Sequence, residues 1–124
     1  GDAMGEVAQA ADRAQLTSLR AQVDRVFVDD EILQYVLQLV RATRSHPGLA
    51  QGASPRAAIS LCALCRGVAY LRGRDYVVPG DVSYIWTDAI AHRLVLPAGA
   101  ADSGRRTADI AGEVLESVRP PRLR

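Results

Sequence analysis

The residues best suited to chemistry are Gly52-Ala53-Ser54-Pro55-Arg56. They close a loop that begins at Ser45-His46-Pro47-Gly48 and open an apolar segment from Ala57 to Leu71. Glycine at 52 admits backbone angles that other residues avoid. Ser54 is a good N-cap, because its hydroxyl can accept from an orphan backbone N–H. Pro55 suits a first helical position, where no N–H is needed. Arg56 then falls in the first turn, where the helix dipole disfavours a cation by up to about 1 kcal/mol. Such a cation either keeps its head in water or is held for an anion that also meets the helix N-terminus, such as a phosphate. The chemistry within reach is electrostatic: a guanidinium fork pairing with phosphate oxygens.

The other candidates read as structural. Cys62 and Cys65 form a Cys-x-x-Cys pair, but a zinc site needs four ligands at suitable spacing. The two histidines, His46 and His92, lie in separate segments. A redox pair draws its lowered pKa from a helix N-terminus, and Cys62 lies well inside its segment. Both thiols are therefore expected as small core residues, with no metal bound, and a reduced pair suits a cytoplasmic protein. His92 and Arg93 near a helix end would complement its dipole, and His46 is expected to cap a helix or pack under the loop. Asp81 and Asp88 share a face without a nucleophile or metal beside them. Asp81 is expected as a helix-start charge and Asp88 as a solvated one. Arg66, Arg72 and Arg74 at one end of the central segment could form an anion site. Arg72 and Arg74 also suit a helix end or the carboxylate of Asp75 or Asp81.

These residues need a scaffold, and the chain's 124 residues suit one domain. With 48% hydrophobic residues and only 5% aromatic ones, Ala, Leu and Val must fill the core. The net charge of +1 gives no general field for nucleic acid or a membrane surface. All basic residues are arginines, so there is no Schiff-base amine and no lysine for a phosphate-binding P-loop. No apolar run approaches the roughly 20 residues that span a bilayer, and no signal peptide is visible. Gly1 to Met4 read as a start remnant and residues 5–12 as a frayed start or interdomain linker. Apolar spacing predicts a helix near 13–24, then one running from Asp29-Asp30-Glu31 to a stop at Pro47-Gly48. The segment 55–72 is apolar on most sides, as in the buried centre of a bundle. Tyr76-Val77-Val78 is extended before proline and could pair with Phe27-Val28 as a minimal two-stranded ribbon. A helix begins at Pro79, a flexible loop runs from Pro97 to about Arg106, and a last helix carries Ile110 to Val118. The fold class is all-α, a small bundle of four to five helices.

The order of several motifs adds a resemblance. Ala42-Thr43-Arg44-Ser45-His46-Pro47, Gly52-Ala53-Ser54-Pro55-Arg56-Ala57, Arg72-Gly73-Arg74-Asp75-Tyr76-Val77-Val78-Pro79, Asp81-Val82 and Ala91-His92-Arg93-Leu94 together resemble the C-terminal lid of MoxR-type AAA+ ATPases. The likeness covers residues 13 to 121. It implies that residues 13–124 are a helical lid, with 5–12 leading from an AAA+ core that carries the P-loop and magnesium site. By the same resemblance Arg56 is the sensor 2 arginine. Ser54, Pro55 and Arg56 would face ATP bound with Mg2+ between core and lid, and lid movement would follow hydrolysis. The fragment alone would then be no enzyme but part of a chaperone-like ATPase. Its partners would be the core of its own chain, neighbouring subunits of a hexameric ring, and a von Willebrand A-domain protein. The sequence departs from the family pattern at Trp86 and Gly80, where smaller and more acidic or polar residues, respectively, are expected. The alternative is a stand-alone helical module binding protein or nucleic acid, for which the +1 charge lacks the one-sided basic stripe. A stand-alone enzyme would need a nucleophile–base arrangement that the sequence lacks.

Overall fold

A computed structural model describes residues 2–100 and 105–123. Among the described residues five α-helices carry the fold: α1 (Asp2–Asp24), α2 (Asp30–Ser45), α3 (Ala57–Leu71), α4 (Pro79–Ile90) and α5 (Thr107–Ser117), with a 3-10 turn at Ala91–Arg93 after α4. The all-α expectation holds. Gly1 of the expected start remnant, residues 101–104 of the expected loop after Pro97, and Arg124 at the end of the expected lid lie outside the described residues.

Each helix starts and stops for a local reason. The Asp29 carboxylate accepts from the Glu31 N–H at 2.9 Å, and Asp30 and Glu31 add negative charge to the first turn of α2, where the dipole favours it. Ile32, Tyr35, Val36, Leu39, Val40 and Thr43 then form a buried stripe at helical spacing. Helix α2 ends because His46 precedes Pro47 and takes an extended conformation, φ −72°, ψ 125°. Helix α3 ends on Gly73, whose φ of 76° is left-handed. Gly73 N–H donates to Tyr70 O and Arg74 N–H to Ala69 O, both at 2.9 Å, the paired closure typical of a glycine-ended helix. Pro79 opens α4, and the Asp81 carboxylate accepts from the Val78 N–H at 2.9 Å. Asp109 does the same for the Arg106 N–H at the start of α5.

The core sits where α3 meets α2 and α4, and where α5 closes over α2 and α4. Leu39, Leu61, Ile90, Ile110 and Trp86 are fully enclosed there. Each such side chain contributes about 1.5–3 kcal/mol relative to exposure. Trp86 fits as more than bulk: its indole N–H donates to Ala111 O at 2.8 Å, tying α4 to α5.

Three expectations change. Residues 5–12 continue the helix of α1 rather than fraying. Their described side chains are exposed, so no apolar face marked them as helical. The ribbon reduces to one parallel bridge, Phe27 with Tyr76, in which Phe27 N–H donates to Asp75 O and Val77 N–H to Phe27 O. The central helix is not enclosed on most sides. Ala57, Ala58, Leu61, Cys62, Cys65 and Ala69 face inward, while Ile59 is 74% exposed and Leu71 85%.

Candidate functional site

The loop between α2 and α3 is anchored at several points. Thr43, fully buried, donates from its hydroxyl to Val40 O at 2.6 Å and accepts from the Ala53 N–H at 3.0 Å. Gln51 pairs with Val95 across an antiparallel bridge, with Val95 N–H donating to Gln51 O at 2.9 Å and Ala50 N–H to Val95 O at 2.8 Å. His46 accepts from the Gly48 N–H on Nδ1, which leaves Nε2 to donate to the Glu113 carboxylate of α5, each at 2.9 Å. Arg105 also reaches Glu113, at 2.5 Å. The His46 hydrogen bond, and then Arg105, hold the Glu113 carboxyl below its ordinary value.

Gly52 is needed here, but not for the reason the sequence suggested. Positive φ occurs at Gly73 and Gly99 among the described glycines, not at Gly52. A Cβ on Gly52 would lie 2.5 Å from the carbonyl carbon and oxygen of Thr43 and 2.6 Å from Arg44 Cα. The loop therefore passes backbone against backbone over the end of α2, which only glycine allows.

This anchoring sets Ser54, Pro55 and Arg56 at the start of α3. The Ser54 hydroxyl accepts from the Arg56 N–H at 3.2 Å, while Ala57 N–H donates to Ser54 O and Ala58 N–H to Pro55 O. Regular helix begins at Ala57 rather than Pro55, with Arg56 as its N-cap in a tight leading turn. All three residues are exposed. The Arg56 guanidinium has no partner among the described residues, and α3 has no acidic residue in its first turn to neutralise it. A cleft of about 300 Å³ beside the turn is lined by Arg44, Gln51, Gly52, Ser54 and Pro55. Its polar groups and the nearby cation can take an anion; nothing here can activate a nucleophile.

The remaining candidates resolve into structural roles. Arg66 donates from Nε to Val26 O at 3.1 Å, and Arg72 and Arg74 converge on Asp81, so the three arginines do not form an open anion site. Arg74 reaches both Asp81 oxygens, at 2.5 and 2.7 Å, and Arg72 approaches at 3.3 Å. Burial works to raise the Asp81 pKa, but the Arg74 hydrogen bonds, the Val78 N–H and the charges of Arg74 and Arg72 outweigh it and lower the value. Cys62 and Cys65 are buried free thiols. Burial, with Cys62 and Asp81 adding to it, pushes Cys65 up to about 12, and burial raises Cys62 as well, which disfavours the thiolate form. Among the described residues, no group of three or more His, Cys, Asp or Glu could hold a metal ion. His92, Arg93 and Asp88 are exposed at the rim of a separate cleft between α3 and α4.

Sequence reasoning missed Thr43 as the anchor of the loop and Arg44 as a lining residue of the cleft. A polar residue three places after Val40 on an apolar stripe was the available signal for Thr43.

The AAA lid domain model matches residues 41–114, more than half of the chain. The chain belongs to the AAA lid domain family, and its likeness to MoxR proteins makes it a lid of MoxR type. It is 37% identical over 106 residues to the chaperone MoxR1 of Mycobacterium tuberculosis, covering 78% of this chain and 28% of that one. It is 35% identical over 103 residues to the YeaC protein of Bacillus subtilis, covering 83% of this chain and 32% of YeaC. A crystal structure of a protein assigned as an ATPase from Cytophaga hutchinsonii superposes with a TM-score of 0.80 at 29% identity, over 85% of this chain and 34% of that one. The chain thus spans about a third of the length of these relatives. Among the described residues, no helix is long and apolar enough to cross a membrane.

Proposed function

We propose that this lid supplies Arg56 as the sensor 2 arginine to ATP bound between it and an AAA+ core, in a MoxR-type chaperone-like ATPase. The observation that carries the reading is an exposed guanidinium, unpartnered among the described residues, at the start of a helix whose own field repels it. The rigid loop is the second support, since a phosphate contact needs a fixed origin. Ser54 and Pro55 shape the turn, and Arg56 would pair with terminal-phosphate oxygens through charge-assisted hydrogen bonds. Mg2+ and the P-loop contacts would come from the core, since this chain contains no lysine. ATP bound there supplies the phosphoryl group whose charge Arg56 would meet. Because α2, the loop and α3 are tied together, a pull on Arg56 would move the lid as a rigid body. Neighbouring subunits of a hexameric ring, a von Willebrand A-domain partner and a cytoplasmic setting complete the proposal. They rest on the family likeness alone.

The test is the ATP turnover of a full-length protein carrying Arg56→Ala. Loss of one charge-assisted hydrogen bond, about 1.5–3 kcal/mol, predicts a fall of tenfold or more. Unchanged turnover would remove Arg56 from the site.

A further inference from the structure

A second cleft shares no lining residue with the Arg56 loop. It measures about 650 Å³ and lies between the start of α4, the middle of α2 and the end of α5, lined by Tyr35, Pro79, Gly80, Ser83, Leu115 and the 116–120 segment. Its floor holds an unusual group. Tyr35 is only 4% exposed, yet its hydroxyl has no hydrogen-bond partner among the described residues. Among the described residues no enclosed side-chain nitrogen or oxygen lacks a partner, so the Tyr35 oxygen is not enclosed, and Tyr35 lines the open cleft. A buried tyrosine ordinarily finds a partner for its O–H within the protein; here water or a ligand in the cleft takes that place.

The two walls differ in sign. On one side Gly80, the second residue of α4, has a free N–H, while Asp81 N–H is taken by Val78 O. A Cβ on Gly80 would meet nothing within 4 Å, so the space beside this residue is open. The Asp81 charge beneath is offset by Arg74 and Arg72. On the other side the carbonyls of Leu115, Glu116 and Ser117 accept no backbone N–H among the described residues, as expected at a helix C-terminus. Glu116 and Arg119 stand exposed at the rim with no partner there. A purely anionic ligand would meet repulsion from the carbonyl wall and Glu116. A ligand with an anion at one end and an N–H donor next to it fits both walls.

We propose that this cleft captures the carboxy-terminal end of a peptide chain. The terminal carboxylate takes the Gly80 N–H, the Tyr35 O–H and the Arg119 guanidinium. The adjacent peptide N–H donates to the free carbonyls at the end of α5. Capture of a chain end by backbone donors is a known recognition mode, and it does not depend on the nucleotide reading.

Titration of the 15N-labelled 124-residue chain with N-acetyl-triglycine, its carboxamide and acetate tests the proposal. The free acid should give saturable amide shifts at Gly80, Ser83 and Val118, and the carboxamide should bind at least tenfold more weakly. Arg119→Ala, at an exposed position that leaves the fold intact, should weaken the acid about tenfold, the loss of one charged hydrogen bond. Tyr35→Phe, checked for an unchanged melting midpoint, should weaken it threefold or more. Equal shifts from acid and carboxamide, acetate binding as tightly as the peptide, no saturation, or an Arg119→Ala variant that binds like the parent would each overturn it.

Discussion

Arg56 sits where its own helix opposes it, and that makes its effect on stability separable from the effect on activity proposed for it. Its head makes no hydrogen bond or ion pair with a described residue, so Arg56→Ala should leave the melting temperature of the 124-residue chain unchanged or slightly raised, by up to about 1 kcal/mol in stability. Circular dichroism melting checks this. On the sensor 2 proposal, Arg56→Lys in a full-length protein should restore ATP turnover only in part, because a point charge lacks the bidentate fork; full restoration would argue for simple charge attraction. Gly52 behaves in the opposite way. Gly52→Ala places a methyl against the backbone of Thr43 and Arg44, and backbone cannot step aside as a side chain can. Overpacking of this kind costs about 1–3 kcal/mol, so its melting midpoint should fall by several degrees. The identity of Gly52 was legible in the sequence but its reason was not, because a close approach to backbone eight and nine residues earlier leaves no local mark.

At the scale of elements, the Asp81 cluster fastens the turn after α3 to the start of α4. Its carboxyl is lowered in the folded state, so its stabilising effect is complete above the unfolded value near 4 and is lost as pH falls through the lower folded value. Melting midpoints should therefore be flat with respect to this group above about pH 5 and decline below about pH 4. Asp81→Asn should flatten that decline and cost about 2 kcal/mol at neutral pH, less than a fully enclosed pair would, because Arg72 and Arg74 can regain water. The helices with an inward apolar stripe, α2, α4 and α5, were legible from spacing alone. The first half of α1 was not, since its described side chains bury nothing and periodicity had no face to report. Helix α3 misled in the other direction: its outer apolar residues, Ile59, Leu64 and Leu71, look like core in sequence but face outward. The Arg66, Arg72 and Arg74 cluster looked like a ligand site because sequence cannot say which carboxylate or carbonyl lies across the turn.

For the whole molecule, the lid reading predicts that this chain alone holds ATP weakly. Arg56 and the Ser54 turn offer a charge but no lysine and no glycine-rich cradle. Titration with ATP followed by amide shifts should give no binding in the micromolar range, about 8 kcal/mol; binding that tight would point to a complete nucleotide site within these residues. Replacing Cys62 and Cys65 by Ala should cost on the order of 1 kcal/mol each and leave the ATP turnover proposed for the full-length protein unchanged per folded molecule. A fall in turnover without a fall in stability would give the thiols a role their burial argues against. The molecule also carries its own optical reporter. Trp86 is the chain's single tryptophan, fully enclosed, with its indole N–H held by Ala111 O. Its emission should be blue-shifted while α5 stays seated on α4 and move to the red when the two separate. Events at the Arg56 loop that leave this contact intact should be silent in that signal. Tryptophan fluorescence can therefore distinguish internal loosening of the lid from its movement as one piece, without any attached label.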